Sequence, residues 1–346
     1  MKINFIVPST STVMGSGIRV IFRHANYLAD KGHDVVVYVP MLFYIGKKFI
    51  LRTSISNSFL RRAKLGWMDY RFKTKLAFKI SDAFIRDADI TIATAWYTAP
   101  FVNKLSSKKG RKVYFIQDYE IWNQDENEVN ATYQMPMHRI VITNKLKKLL
   151  EEKLGVASTV VYNGHSSDEY MLAPKVINHP RKLMMLWNSA SYKGGQAAMD
   201  MLSELQVKYN FRLTLFSVEP QKQFPSWVEF YHQPERKLLI SLYQQADIYI
   251  FPSLAEAWGL PVMEAMANKC AVVGMNTGLL ADVCSDNNQA LICNCGDYDS
   301  FKNKIVSLLE DDELLKRLQR AGNNFSKNYS WDRQCALFEK ELLSIV

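Results

Sequence analysis

Two carboxylates, Glu256 and Glu264, stand eight residues apart in FPSLAEAWGLPVMEAMA, residues 251–267. Between them Trp258-Gly259-Leu260-Pro261 leads toward a helix, and Glu264 is expected on its first turn. Pro261 suits a helix start, where its missing N–H is not needed. A helix N-terminus offers unpaired backbone N–H groups and the positive end of a dipole, which favours an anion. A carboxylate only accepts hydrogen bonds, so two of them beside an anion site point to a polyhydroxyl ligand carrying phosphate. The plain alternative is a strand-loop-helix unit with two surface glutamates.

Other residues have matching chemistry. Lys193 follows Asn188-Ser189-Ala190-Ser191-Tyr192 and precedes Gly194-Gly195 at an expected helix start. A mobile ammonium there suits a diphosphate, and a solvated surface lysine is the other reading. Gly278 opens a further helix and adds backbone N–H groups. Gly15-Ser16-Gly17 closes a polar loop after the first apolar run. It lacks the third glycine of the dinucleotide fingerprint, so a nicotinamide cofactor is weakly supported. Small residues at a helix start still let a diphosphate approach the backbone. Trp96, Tyr97, Gln117 and Asp118 follow the C-terminal ends of two short apolar runs. Open parallel sheets bind ligands there, and an aromatic face with amide and carboxylate groups suits a sugar.

The elements that position these residues alternate strand and helix. Lys2 to Pro8 reads as a buried strand, Ile18 to Lys31 as a helix stopped by Gly32, and Asp34 to Val39 as a strand closed by Pro40. Strands over 89–95, 112–116 and 140–143 follow, and Asn144 is the expected cap of a helix over 145–154. Residues 173–181 carry two prolines and no periodicity, and read as a linker. A second strand, glycine loop and helix then begin at Lys182, and the segment with the two glutamates follows a strand over Ile248–Phe251. The chain of 346 residues exceeds one core, so two Rossmann-like α/β domains are expected. The expected boundaries are 1–174, 175–328 and a closing helical segment 329–346.

Pro-Ser-x-x-Glu-x-x-Gly-Leu-Pro-x-x-Glu-Ala-Met-Ala resembles the donor-site signature of GT-B glycosyltransferases of family 4, the glycosyl transferases group 1, whose E-x7-E pair matches Glu256 and Glu264. The N-terminal GIRVIFRHANYLADKGHDVVVYVP is similar to the opening of that family, and YFIQDYE resembles a rhamnosyltransferase-like branch. The resemblance implies two parallel-sheet domains facing across a cleft, with the C-terminal helix crossing back to the first. It implies a retaining, metal-independent transfer of a sugar from a nucleotide diphosphate to a glycan or lipid-linked hydroxyl, in bacterial surface polysaccharide assembly. Donor-binding roles then fall on Gly15, Gly17, Asn188, Lys193, Gly194, Glu256, Trp258, Gly259, Leu260, Glu264 and Gly278. Glu256, Lys193, Gln117 and Asp118 would be catalytic, and Trp96, Tyr97, Gln117 and Asp118 would face the acceptor. Glu264 would take the ribose hydroxyls, Glu256 the donor sugar, and Lys193 the phosphates. Three departures stand out: Gln117 replaces a common His, His165-Ser166 replaces Val-Asp, and the Arg expected near Asn188 or Ser189 is missing. A nucleotide-sugar 2-epimerase, a phosphorylase and a non-catalytic binding protein of the same fold are the alternatives.

Composition sets the remaining bounds. Hydrophobic residues make up 48% and charged ones 22%, as in globular proteins. No apolar run approaches the ~18 residues that span a bilayer. Five irregularly spaced cysteines match no zinc pattern and point to reduced, cytosolic thiols; no metal or other cofactor is expected. The net charge of +9 is concentrated in residues 47–79, with ten Lys or Arg against Asp69 alone. The plain reading of 41–80 is an amphipathic helix pair with solvated lysines. The second is a surface lying on an anionic membrane, which would make the protein peripheral on the inner face. Nucleic acid is not an expected partner, because no binding motif accompanies the charge.

Overall fold

A computed structural model describes residues 1–8, 17–45, 48–51, 69–121, 124–166, 174–220 and 223–346. The chain divides into two compact units, residues 1–163 with 332–346 and residues 164–331. Among the described residues no helix is long and apolar enough to cross a membrane.

The first unit is built on an eight-stranded sheet. Its strands are β1 (Lys2–Ile6), β2 (Asp34–Ile45), β3 (Lys48–Leu51), β4 (Lys73–Lys79), β5 (Ile90–Ala93), β6 (Arg111–Ile116), β7 (His138–Val141) and β8 (Thr159–Val160). The order is β3-β2-β1-β5-β6-β7-β8, with β4 beside β2, and only the β2–β3 pair is antiparallel. Ile3, Phe5 and Ile6 are all fully buried, as expected of a parallel strand covered on both faces. Helix α1 (Gly17–Asp30) buries Ile18, Ile21, Phe22, Ala25 and Leu28, an apolar stripe at helical spacing. Helices α2 (Ala99–Asn103), α3 (Glu126–Tyr133) and α4 (Asn144–Leu154) connect the later strands. Thr143, one residue before Asn144, is the true cap of α4, its side chain accepting from the Leu146 N–H at 3.1 Å.

Two expectations for 34–80 are corrected. Pro40 does not close β2, which runs on to Ile45. Tyr38 O accepts from the Val7 N–H at 3.0 Å, and β1 ends there. Two residues on, the missing N–H of Pro40 points past the end of β1, where no partner strand needs it. The helix pair is also wrong among the described residues: 41–45, 48–51 and 73–79 are strands, and 52–68 lie outside the described residues. β4 reads Lys-Thr-Lys-Leu-Ala-Phe-Lys and buries Ala77 while leaving Leu76 and Phe78 exposed, so no alternation of buried and exposed residues marks it as a strand. Lysines on such a strand discourage pairing with another chain.

The second unit is a six-stranded parallel sheet of β9 (Arg181–Leu186), β10 (Phe211–Ser217), β11 (Val228–His232), β12 (Ile248–Phe251), β13 (Ala271–Met275) and β14 (Leu291–Cys293). The order β11-β10-β9-β12-β13-β14 is the doubly wound pattern 3-2-1-4-5-6. Its helices are α5 (Gly195–Lys208), α6 (Arg236–Gln245), α7 (Leu260–Ala267), α8 (Gly278–Val283), α9 (Tyr298–Glu310) and α10 (Asp312–Ser326). Leu183, Met185, Leu202, Phe211, Ile250, Val273, Phe301 and Leu318 share one core.

Helix α11 (Trp331–Leu343) joins the first unit from Asp332 onward. Phe338 is fully buried there, its ring 4.3 Å from His24, 5.2 Å from Phe115 and 6.5 Å from Phe5 between centroids. Burial of His24 among these rings pushes its imidazole down to about 3, so it is a neutral core residue.

Candidate functional site

In the second unit the strand order reverses between β9 and β12. Connections leaving those two strands diverge to opposite sides, which opens a crevice at their carboxyl ends. Lys193 comes from the connection after β9 and Glu256 from the one after β12. They meet there, Lys193 Nζ standing 2.5 Å from Glu256 Oε2, with each side chain about a quarter exposed (24% and 25%). Glu256 is held independently of its carboxylate, since its backbone N–H donates to Thr277 Oγ1 at 3.1 Å, beyond β13. Ser253 Oγ, 3.0 Å from Ala255 O, ties down the turn before it.

The glycines around this pair are close approaches of backbone to backbone. Gly194 has φ +66°, and a Cβ there would stand 2.2 Å from Pro252 O. Gly278 has φ +57°, and a Cβ would meet Trp258 O at 2.5 Å and Glu256 Cβ at 3.3 Å. Only glycine takes these conformations at no cost. Thus the connections after β9, β12 and β13 are drawn together around Glu256. Gly259 caps α7 and Leu260 begins it.

Glu264 is the fifth residue of α7, just past the first turn on which the sequence placed it, because the helix begins at Leu260 rather than at Pro261. Its Oε1 accepts from Arg236 Nη1 at 2.7 Å, and the two side chains are only 13% and 12% exposed. Arg236 opens α6, and sequence reasoning missed it because nothing local marks a partner 28 residues away. Trp258 is 2% exposed, its ring 5.8 Å from Tyr329, so it acts here through its carbonyl, which accepts from the Leu279 N–H at 2.6 Å. Asn188 closes its own turn, Oδ1 accepting from the Ala190 N–H at 2.9 Å. Glu219 takes the Ser189 N–H at 2.9 Å, where the resemblance led us to look for an Arg.

The first unit gathers the other candidates beyond β1, β5 and β6. Gln117 lies against the start of α1: a Cβ on Gly17 would be 3.2 Å from its Oε1. Gly15 lies outside the described residues. Asp118 Oδ1 accepts from the Tyr119 N–H at 2.8 Å. Trp96 is 8% exposed and belongs to the core, whereas Tyr97, edge-on to it at 5.9 Å, is half-buried. Glu120 is a residue the sequence did not single out. Its Oε2 accepts from the Trp96 N–H at 2.7 Å and faces the Tyr114 hydroxyl at 3.3 Å, while its N–H donates to Tyr133 Oη at 3.0 Å. Burial pushes its carboxyl up to about 7, against the pull of the Trp96 and Tyr114 hydrogen bonds. His165 is buried and serves a backbone bridge: its N–H donates to Tyr329 O and its O accepts from the Trp331 N–H, both at 2.9 Å.

Comparison with known proteins bears on the family and the fold. Residues 221–325 match the family model of glycosyl transferases group 1. An uncharacterised glycosyltransferase of Methanocaldococcus jannaschii is 24% identical over 211 residues, 56% of this chain and 56% of that protein. The O-antigen chain mannosyltransferase B of Escherichia coli is 29% identical over 106 residues, 31% of this chain and 27% of that one. The chain therefore spans about half or less of the length of these curated relatives. Among solved structures, Anabaena HepE in complex with UDP superposes with a TM-score of 0.78 at 14% identity, over 99% of this chain and 100% of that one. That likeness shows the GT-B fold, with its two Rossmann-like sheets.

Proposed function

We propose that this chain, whose residues 221–325 match the family model of glycosyl transferases group 1, moves a sugar from a nucleotide diphosphate to a hydroxyl of a glycan or lipid-linked acceptor, with retention at the anomeric carbon. The observation that carries the reading is the Lys193–Glu256 pair at the strand-order reversal, with Glu264 on the helix that follows. The second unit takes the nucleotide sugar and the first the acceptor. Glu264 accepts from the ribose hydroxyls, and Glu256 orients the donor sugar. Lys193 leaves Glu256 for the diphosphate as the donor arrives. Transfer requires stabilisation of an oxocarbenium-like sugar and of the leaving diphosphate. Lys193, with the helix N-termini at Leu260 and Gly278, supplies the latter charge without calling on a metal ion.

Surface polysaccharide assembly at the inner face of a membrane is the setting we propose, supported by the O-antigen relative. Leu76, Phe78 and Phe84 are 39%, 50% and 43% exposed beside Lys75 and Lys79, a mixture suited to an anionic bilayer. Flotation with vesicles containing anionic lipid checks this contact, and absence of binding at low salt removes it.

A thermal-shift screen of UDP-, GDP-, dTDP- and ADP-sugars, followed by transfer assays with glycan and lipid-linked acceptors, tests the activity. Stabilisation by one series together with transfer is the expected result. Turnover of the nucleotide sugar without acceptor would point instead to an epimerase. Binding without transfer would leave a binding protein, and no binding at all would refute the reading.

A further inference from the structure

The ion pair between Arg236 and Glu264 has no explanation in the folding of its own helices. Arg236 is the first residue of α6, where the positive end of the helix dipole repels a guanidinium. A cation at that position is a local rule broken, and such breaks concentrate at functional sites. Its compensation is Glu264 on α7, at 2.7 Å, in a spot nearly closed to solvent. Two tyrosines stand beside the pair. Tyr243, two turns along α6, is fully buried, and Tyr249 on β12 is 1% exposed. Burial pushes both phenols well up, and the Glu264 charge adds to the push. Such surroundings do little to screen the pair.

A carboxylate has about four acceptor positions on two oxygens. Arg236 engages Oε1, which leaves Oε2 for donors from a ligand. On the reading that Glu264 meets the nucleoside pentose, we propose that Arg236 is the positioning residue that lets this site detect the pentose hydroxyls. It fixes the Glu264 carboxylate and balances its charge, so that the free oxygen is presented to the ribose diol. Without Arg236 the carboxylate is free to turn, and the hydroxyls lose their fixed acceptor.

The test uses whichever of UDP, GDP and ADP binds most tightly, together with its 2′,3′-dideoxy counterpart, by isothermal titration. A charged hydrogen bond to the hydroxyls should give the unaltered protein roughly a 10-fold or greater preference for the hydroxylated nucleotide. Arg236→Ala should lower that preference to within about 2-fold, and Arg236→Lys, which keeps a point charge, should restore part of it. Glu264→Gln should reduce it similarly, with no further loss in the double variant. If Arg236→Ala does not fold, Arg236→Gln decides by the same ratio. An undiminished preference in a folded Arg236 variant would overturn the proposal while leaving the glycosyltransferase reading intact. Absence of nucleotide binding by the unaltered protein would overturn both.

Discussion

Glu256→Gln should tighten the binding of nucleoside diphosphates while slowing sugar transfer. In the free protein Lys193 is held by Glu256 at 2.5 Å, so a diphosphate must compete for the ammonium. Glutamine keeps the size of the side chain and removes the competitor. The backbone there is fixed by Thr277 and by the turn at Ser253, so the loop should not move. With both side chains a quarter exposed, the pair lies between bulk water, where unit charges at such a distance attract by roughly 1.7 kcal/mol, and the more strongly attracting interior. Exposed pairs measure about 0–1 kcal/mol after desolvation and entropy are paid. A figure of about 1 kcal/mol corresponds to roughly 5-fold tighter binding. Titration calorimetry with UDP, GDP, ADP and dTDP reads this directly, and added salt should narrow the gap by screening the pair. Lys193→Ala should weaken binding whether or not Glu256 is replaced. Equal or weaker affinity in Glu256→Gln would refute the idea that the ammonium is shared, and with it the assignment of Lys193 to the phosphates. Glu264→Gln has the opposite expected sign, a loss of affinity, so the two glutamates are separated by one measurement.

Three further outcomes follow from the packing. Gly194→Ala should destabilise the second unit by at least about 2 kcal/mol and abolish nucleotide binding, because a left-handed φ is combined with a Cβ 2.2 Å from Pro252 O; urea unfolding with and without nucleotide checks it. Phe338→Ala empties a site among Phe5, His24 and Phe115 and should cost the first unit about 3–5 kcal/mol, read by hydrogen exchange at β1 and β6. Glu120 has a folded-state pKa of about 7, above its ordinary value near 4.3, so the folded protein binds the extra proton between the two. Its contribution to stability is therefore full below the ordinary value and lost as pH rises through 7. Glu120→Gln should gain on the unaltered protein by on the order of 2 kcal/mol between pH 5 and 8, and a pH-independent difference in urea midpoints would contradict this.

The sequence by itself determined what local chemistry can dictate. The apolar run of β12 was legible to the residue, because strand length and turn residues are written in consecutive positions. Helix α1 and the position of Glu256 after a buried strand were legible for the same reason. What the tertiary structure decided is which distant residues meet. Lys193 reaches Glu256 across 63 residues, and Arg236 reaches Glu264 across 28, because the order β11-β10-β9-β12-β13-β14 brings their connections together. The same holds for Glu120 under the Trp96 N–H and for Phe338 in the core of the first unit. Lysine-rich β4 was misread as helix because no alternation of buried and exposed residues marks it as a strand, and its backbone is satisfied by pairing with β2 across the sheet. The E-x7-E glutamates were thus visible in one dimension. Their cations, which set the charge and orientation of each carboxylate, exist only once the sheet is ordered.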